Sequence, residues 1–138
     1  MENQFSININ ADIENLATIR KFIEESVGKW GLNSDSTYDL NFAVTELVTN
    51  TIIHGYKYEP GSIKIDLWHK NGTVYVRLKD NAPIFNPLTN PPPNMKLPLE
   101  LRPVGGLGIF LTKLYVDEIN YTASPDGGNE VLLVKHGE

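Results

Sequence analysis

Apolar and polar residues alternate over Phe5-Ser6-Ile7-Asn8-Ile9, the period of a half-buried strand. The period then lengthens. Ile13, Leu16, Ala17, Ile19, Phe22, Ile23 and Val27 fall on one face of a helix running from about Ile13 to Trp30, with Asp12 placed to cap it and Gly28 and Gly31 marking its end. Asn33, Ser34 and Asp35 are each competent caps for a second helix, whose stripe is Leu40, Ala43, Val44, Leu47, Val48 and Ile52 and which should stop near His54-Gly55. Alternation returns from Gly61 to His69 with Ile63, Ile65 and Leu67 on one side. Asn71-Gly72 is a strong two-residue hairpin signal, and Val74, Val76 and Leu78 carry the next strand toward Asp80.

From Asn81 to Val104 the periodicity vanishes, and Pro83, Pro87, Pro91, Pro92, Pro93, Pro98 and Pro103 fall within that stretch. A loop of this length inside a compact domain usually serves a function, although a plain proline-rich surface excursion would look the same. Gly105-Gly106-Leu107-Gly108 opens a third helix with Ile109, Leu111, Leu114 and Val116. Ile119 to Ala123 reads as a strand, Asp126-Gly127-Gly128 as a turn and Val131 to Val134 as the last strand. Strand, two helices, hairpin, loop, helix, hairpin is not the regular alternation of a parallel sheet. It predicts a single α+β domain over residues 1–138: a two-layer sandwich with about three helices on one face of a mixed, mainly antiparallel sheet.

Charge and composition narrow the function. The chain of 138 residues carries a net charge of −5, which argues against direct nucleic-acid binding. It has no cysteine, which excludes disulfides, thiolate zinc sites and a cysteine nucleophile. The start, Met1-Glu2-Asn3-Gln4-Phe5, lacks the basic and apolar segments of a signal peptide, and no apolar run reaches membrane-spanning length. A cytoplasmic protein without membrane contact is the expectation.

Three clusters are candidates for chemistry. Glu46, Asn50 and His54 are spaced four apart, so on a helix they form one polar row beside the apolar stripe. A carboxylate, an amide and an imidazole in line can hold a hydrated Mg²⁺ and orient a nucleophile, though a solvent-facing helix edge has the same spacing. Asp80 ends a strand, a common place for a turn-former. As an ionised, acceptor-only group it could also bind the exocyclic amine of adenine and reject guanine. Gly105, Gly106 and Gly108 at a helix start let backbone N–H groups approach phosphate, or simply make a tight turn. No Gly-Lys-Ser/Thr follows, so this is not a Walker A loop.

Each cluster alone is weak; their order is specific. The succession resembles the histidine-kinase-like ATPase superfamily, and within it the anti-sigma-factor serine kinases. The likeness runs through Glu46-Leu47-Val48-Thr49-Asn50-Thr51-Ile52-Ile53-His54-Gly55-Tyr56, then Leu78-Lys79-Asp80-Asn81-Ala82-Pro83-Ile84-Phe85-Asn86-Pro87, then Arg102-Pro103-Val104-Gly105-Gly106-Leu107-Gly108-Ile109-Phe110-Leu111 and finally Gly127-Gly128-Asn129. The resemblance implies that Asn50 coordinates Mg²⁺, that Glu46 is the general base and that Asp80, with Ala82 in the same box, meets adenine. It likewise implies that Gly105, Gly106, Leu107 and Gly108 cover the phosphates of ATP, with an ATP lid at about Asn86 to Val104. Arg102 or Lys96 would supply positive charge near the γ-phosphate.

One departure stands out. The family's second box usually has glycine where this chain has Ala82, and alanine disfavours positive φ there. The function implied is a serine/threonine protein kinase that phosphorylates an antagonist protein, silences a sigma factor and forms a homodimer. The alternative is a non-catalytic module in which nucleotide orders the lid and the lid presents a surface to a partner protein.

Overall fold

The computed structural model describes residues 3–89, 106–125 and 127–137. Its strands are β1 (Gln4–Asn10), β2 (Ser62–Lys70), β3 (Thr73–Asp80), β4 (Glu118–Ala123) and β5 (Asn129–His136), in one sheet of order β1-β2-β3-β5-β4. Every neighbouring pair is antiparallel, so the sheet expected to be mixed has no parallel pair among the described residues. Two hairpins, β2–β3 and β4–β5, supply most of it. The first strand comes back beside β2 running against it, with Phe5 opposite Leu67 and Ile9 opposite Ile63. Asn71 and Gly72 both have positive φ, 52° and 79°, the geometry of a primed turn whose twist suits two flanking strands.

The strand alternation sorts the sheet into two faces. Ile63, Ile65, Leu67, Val74, Val76, Leu78, Val131 and Leu133 are buried and pack with Ile19, Ile23, Val27, Leu40, Val44, Val48 and Ile109 of the helices. The opposite face carries the intervening residues, and there Asp66 is the exception to polar exposure. Only 1% of Asp66 is accessible. Ser6 Oγ donates to its Oδ1 at 2.5 Å, and Arg77 donates through Nε and Nη2 to its Oδ2 at 3.2 and 3.1 Å. Burial alone would raise the pKa of this carboxyl, but the Ser6 and Arg77 hydrogen bonds and the nearby Lys64 charge hold it below its ordinary value.

The helical layer begins with a 3₁₀ turn, Ile13–Asn15, where the Asp12 carboxylate accepts from the Glu14 N–H, and continues as α1 (Leu16–Lys29). The expected helix from Ile13 to Trp30 is therefore shorter by its first turn. Of the three possible caps of α2 (Ser34–Asn50), Asn33 is the one used, its side chain accepting from the Ser36 N–H at 2.8 Å. Beyond Asn50 the winding changes. Thr51–Gly55 is a π turn, with the Tyr56 N–H reaching the Thr51 carbonyl at 2.8 Å. α3 spans Gly106–Tyr115. Among the described residues no helix is long and apolar enough to cross a membrane.

Lys135 joins the two layers. It stands on the helix-facing side of β5, and its ammonium donates to Asp39 Oδ2 on α2 at 3.0 Å and to the Tyr115 carbonyl at the end of α3 at 2.7 Å. A cation is favoured at a helix C-terminus, where carbonyls lack intrahelical partners. Lys135→Met keeps the apolar stem but strands both acceptors, and it is expected to cost about 1–3 kcal/mol of stability in urea unfolding. Asp39→Asn leaves the Tyr115 carbonyl its donor and is expected to cost less than Lys135→Met.

Candidate functional site

A cleft opens where β3 ends and β5 begins, floored by Ile63, Leu78 and Val131 and walled by α2 and the π turn. Asp80 and Asn129 are register partners at that end of the sheet, and both line the cleft. Asp80 Oδ1 accepts from the Ala82 N–H at 2.9 Å and from Asn129 Nδ2 at 2.9 Å. Burial raises the pKa of Asp80 above its ordinary 3.8, and the Asn129 amide and the Ala82 N–H pull partway back.

Asn129 does more than hold Asp80. Its Nδ2 also donates to the Pro83 carbonyl at 3.1 Å, and its Oδ1 accepts from the Phe85 N–H at 2.9 Å and from the Tyr121 hydroxyl at 2.5 Å. One amide thereby fastens residues 82–85 to the start of β5. The hairpin must bring β5 very close for this. Gly128 has φ of 92°, and a Cβ there would lie 2.2 Å from the Asp80 carbonyl oxygen. A second anchor acts on the same turn: the Tyr56 hydroxyl accepts from the Asn81 N–H at 2.8 Å and donates to the Ser62 carbonyl at 2.6 Å.

Ala82 does not have positive φ, so the strain expected of alanine in this box is absent here. It is 1% exposed, with its methyl over Gly55, where an added Cβ would lie 3.2 Å from the Ala82 Cβ. The methyl thus packs beneath the turn, on the π segment.

Asn50 and Glu46 stand one turn apart on α2. Asn50 is 7% exposed and lines the cleft, and its Nδ2 has no hydrogen-bond partner among the described residues. The unpartnered atom is a donor, so it points to a ligand that offers an acceptor, such as a phosphate oxygen, while a cation would need the Asn50 carbonyl oxygen. Glu46 is half-buried, and burial raises its carboxyl pKa above 4.5. It lies against the first turn of α3: a Cβ on Gly108 would fall 2.0 Å from Glu46 Oε2. The glycine at 108 is therefore what lets the carboxylate and the helix start meet.

His54 departs from the expected row. It is exposed, with its ring 5.9 Å from that of Phe85, and it lies outside the cleft lining to which Asn50 belongs. Gly106 and Leu107 form the first residues of α3. Lys96, Arg102 and Gly105, and the lid from residue 90 to Val104, lie outside the described residues.

The residues present fit a nucleotide with a hard cation. Mg²⁺ takes few protein ligands beside phosphate oxygens and water, so the single amide of Asn50 is a sufficient donor set. No cluster of three or more His, Asp or Glu able to hold a metal exists among the described residues. Asp80 offers an acceptor facing a pocket with an apolar floor, suited to a flat heterocycle bearing an amine. Sequence reasoning reached Asp80, Asn50 and Glu46 but gave Asn129 no role beyond its hairpin, and it passed over Tyr121. The available signal was register: counting back from the apolar run of β5 sets Asn129 beside the end of β3.

Comparison with known proteins agrees with this fold. The model of the histidine kinase-like ATPase domain family matches residues 9–135. The anti-sigma F factor of Bacillus licheniformis is 26% identical over 140 residues, covering 99% of this chain and 94% of that protein. The serine-protein kinase RsbW of Bacillus mycoides is 28% identical over 137 residues, covering 96% of this chain and 84% of that protein. The crystal structure of the RsbU and RsbW domains of a Mycobacterium tuberculosis protein superposes with a TM-score of 0.70 at 18% identity. That match covers 99% of this chain and 32% of the other, and at such identity it bears on the fold alone.

Two outcomes follow from the site's electrostatics. Because its folded pKa is raised, ionised Asp80 costs stability at neutral pH, and the cost fades as pH falls through the folded pKa toward 3.8. Asp80→Asn should therefore raise the melting temperature of the nucleotide-free protein at pH 7, with the gain shrinking toward pH 4 in thermal scans. Gly108→Ala must push aside the flexible end of Glu46, but alanine suits a helix better than glycine, so it is expected to change stability by less than about 1 kcal/mol in urea unfolding.

Proposed function

The chain belongs to the histidine kinase-like ATPase domain family, and from that premise we propose that it is a cytoplasmic, ATP-dependent protein serine/threonine kinase of the anti-sigma-factor type. Its substrate is a small antagonist protein, and its second partner is a sigma factor that it holds inactive. The observation that carries the kinase reading is a desolvated Glu46 one helical turn before Asn50 on α2, with Asn50 and Asp80 lining the same cleft. The relatives named for anti-sigma and serine-kinase activity cover nearly the whole chain and support the partner classes.

In this reading Asp80 selects adenine: its carboxylate accepts from the exocyclic amine, while guanine would present a carbonyl to it. Asn50 supplies the protein oxygen for Mg²⁺, which when bound neutralises charge on the transferring phosphoryl group. The N-terminal turn of α3, with Gly108 against Glu46, brings backbone N–H groups to the phosphate end. Glu46 accepts the proton of a serine or threonine hydroxyl as that oxygen bonds to the γ-phosphorus and the bond to the bridging oxygen of ADP breaks. Burial suits it to the task, since a base whose pKa is raised toward the working pH takes a proton more readily in the transition state.

Isothermal titration should show Mg-ATP binding and no measurable Mg-GTP binding, with Asp80→Asn weakening ATP by about tenfold or more. Labelled γ-phosphate ATP added with the protein to a lysate should mark one small protein. Glu46→Gln should lower that transfer about 10²–10⁴-fold while changing ATP affinity little. Nucleotide-dependent capture of a partner that is unaffected by Glu46→Gln, with no labelling, would instead establish a non-catalytic binding module.

A further inference from the structure

The Tyr121 hydroxyl ends on the amide that holds Asp80. β4 is the edge strand, and Tyr121 lies opposite Val131 on β5, on the helix-facing side. From there its O–H donates to Asn129 Oδ1 at 2.5 Å. The same oxygen receives the Phe85 N–H, while Asn129 Nδ2 donates to Asp80 Oδ1 and to the Pro83 carbonyl. Phe85 N–H can only donate and the Pro83 carbonyl can only accept, so the amide has one orientation that satisfies both. In that orientation its N–H faces the carboxylate.

The Ala82 N–H and the Asn129 side-chain amide both donate to Asp80 Oδ1, and the Asn129 backbone N–H also hydrogen-bonds the carboxylate. Together these donors limit rotation of a carboxylate that lines the cleft. A second donor on Asn129 Oδ1 polarises the amide and strengthens its N–H toward Asp80, and it also limits rotation of the Asn129 side chain. Tyr121 is well placed to do this because the hydroxyl sits on a paired strand, whereas Phe85 sits in a turn. Its burial, followed by the nearby Asp80 charge, raises its phenol pKa, so the hydroxyl stays protonated and a donor across the physiological range.

We propose that Tyr121 is a positioning residue for base selection: through Asn129 it orients the Asp80 carboxylate so that it meets the exocyclic amine of a 6-aminopurine nucleotide. This rests on the reading of Asp80 as the adenine-selecting group. A purely structural role for Tyr121 would weaken every nucleotide equally; a positioning role weakens only those that carry the amine.

The test is calorimetric titration of the full chain with Mg-ATP and with the Mg complex of purine riboside triphosphate, which lacks only the amine. Wild type should prefer ATP. Tyr121→Phe should lower ATP affinity about three- to tenfold, the worth of one hydrogen bond, and leave purine riboside triphosphate within about twofold. In an Asn129→Ala background the further change Tyr121→Phe should move ATP affinity by less than about twofold, since the link is already cut. Equal loss for both nucleotides, no loss for either, or an additive effect in the Asn129→Ala background overturns the positioning role while leaving Asp80 as the selector. Absence of ATP binding by wild type, or equal binding of the two nucleotides, overturns the reading of Asp80 itself and the role of Tyr121 with it.

Discussion

A carboxylate held partly out of water must be hydrogen-bonded or it will not stay ionised, and in this protein that demand falls on Asp80. Its answer is the Asn129 amide, and much of the molecule is arranged so that the amide can reach it. β5 must pair with β3 in the register that sets residue 129 beside residue 80. Gly128 must leave its Cβ position empty so that the hairpin can press against the Asp80 carbonyl. The turn from Asn81 to Phe85 must fold back toward β5, which Tyr56 enforces from one side and Asn129 from the other. The cleft is the space these constraints leave.

Two charged groups away from the cleft are treated differently. Asp66 is as buried as any core residue but has Ser6, Arg77 and Lys64 around it, and its pKa falls. Lys135 finds both a carboxylate and a helix-terminal carbonyl. These satisfied groups hold strands and helices together. Around the cleft, Asn50 Nδ2 lacks a partner among the described residues, Asp80 has its carboxyl pKa raised, and so does Glu46 one turn from Asn50. Such unmet demands destabilise the free protein and are met when a ligand arrives, the usual signature of a site selected for binding over stability.

The strands and helices were legible because each depends on local alternation: Ile63, Ile65 and Leu67 against Lys64 and Asp66, or the stripe from Leu40 to Val48. Asn71-Gly72 announced its turn for the same reason. Asp80 and Asn50 could be read as functional since one ends a strand and the other interrupts a helix face. What escaped depended on distance or on winding. That β1 runs against β2 is decided across some fifty intervening residues. The π turn is closed by the Tyr56 N–H bonding to the Thr51 carbonyl, and no pattern of apolar residues encodes that change of winding. Asn129 looked like hairpin punctuation because its meaning lies in what stands beside it in space.

The sheet order also implies a sequence of events in assembly. β2 and β3 are joined by two residues, so their pairing closes a very short loop and is expected early. β1 pairs with β2 only after α1 and α2 have been laid between them, so it is expected to dock late, on an edge already formed. Asp80 sits on the early hairpin and Asn129 on the other one. The carboxylate therefore stays in water until the two hairpins meet, and the meeting of β3 with β5 is the moment at which the nascent chain acquires its pocket.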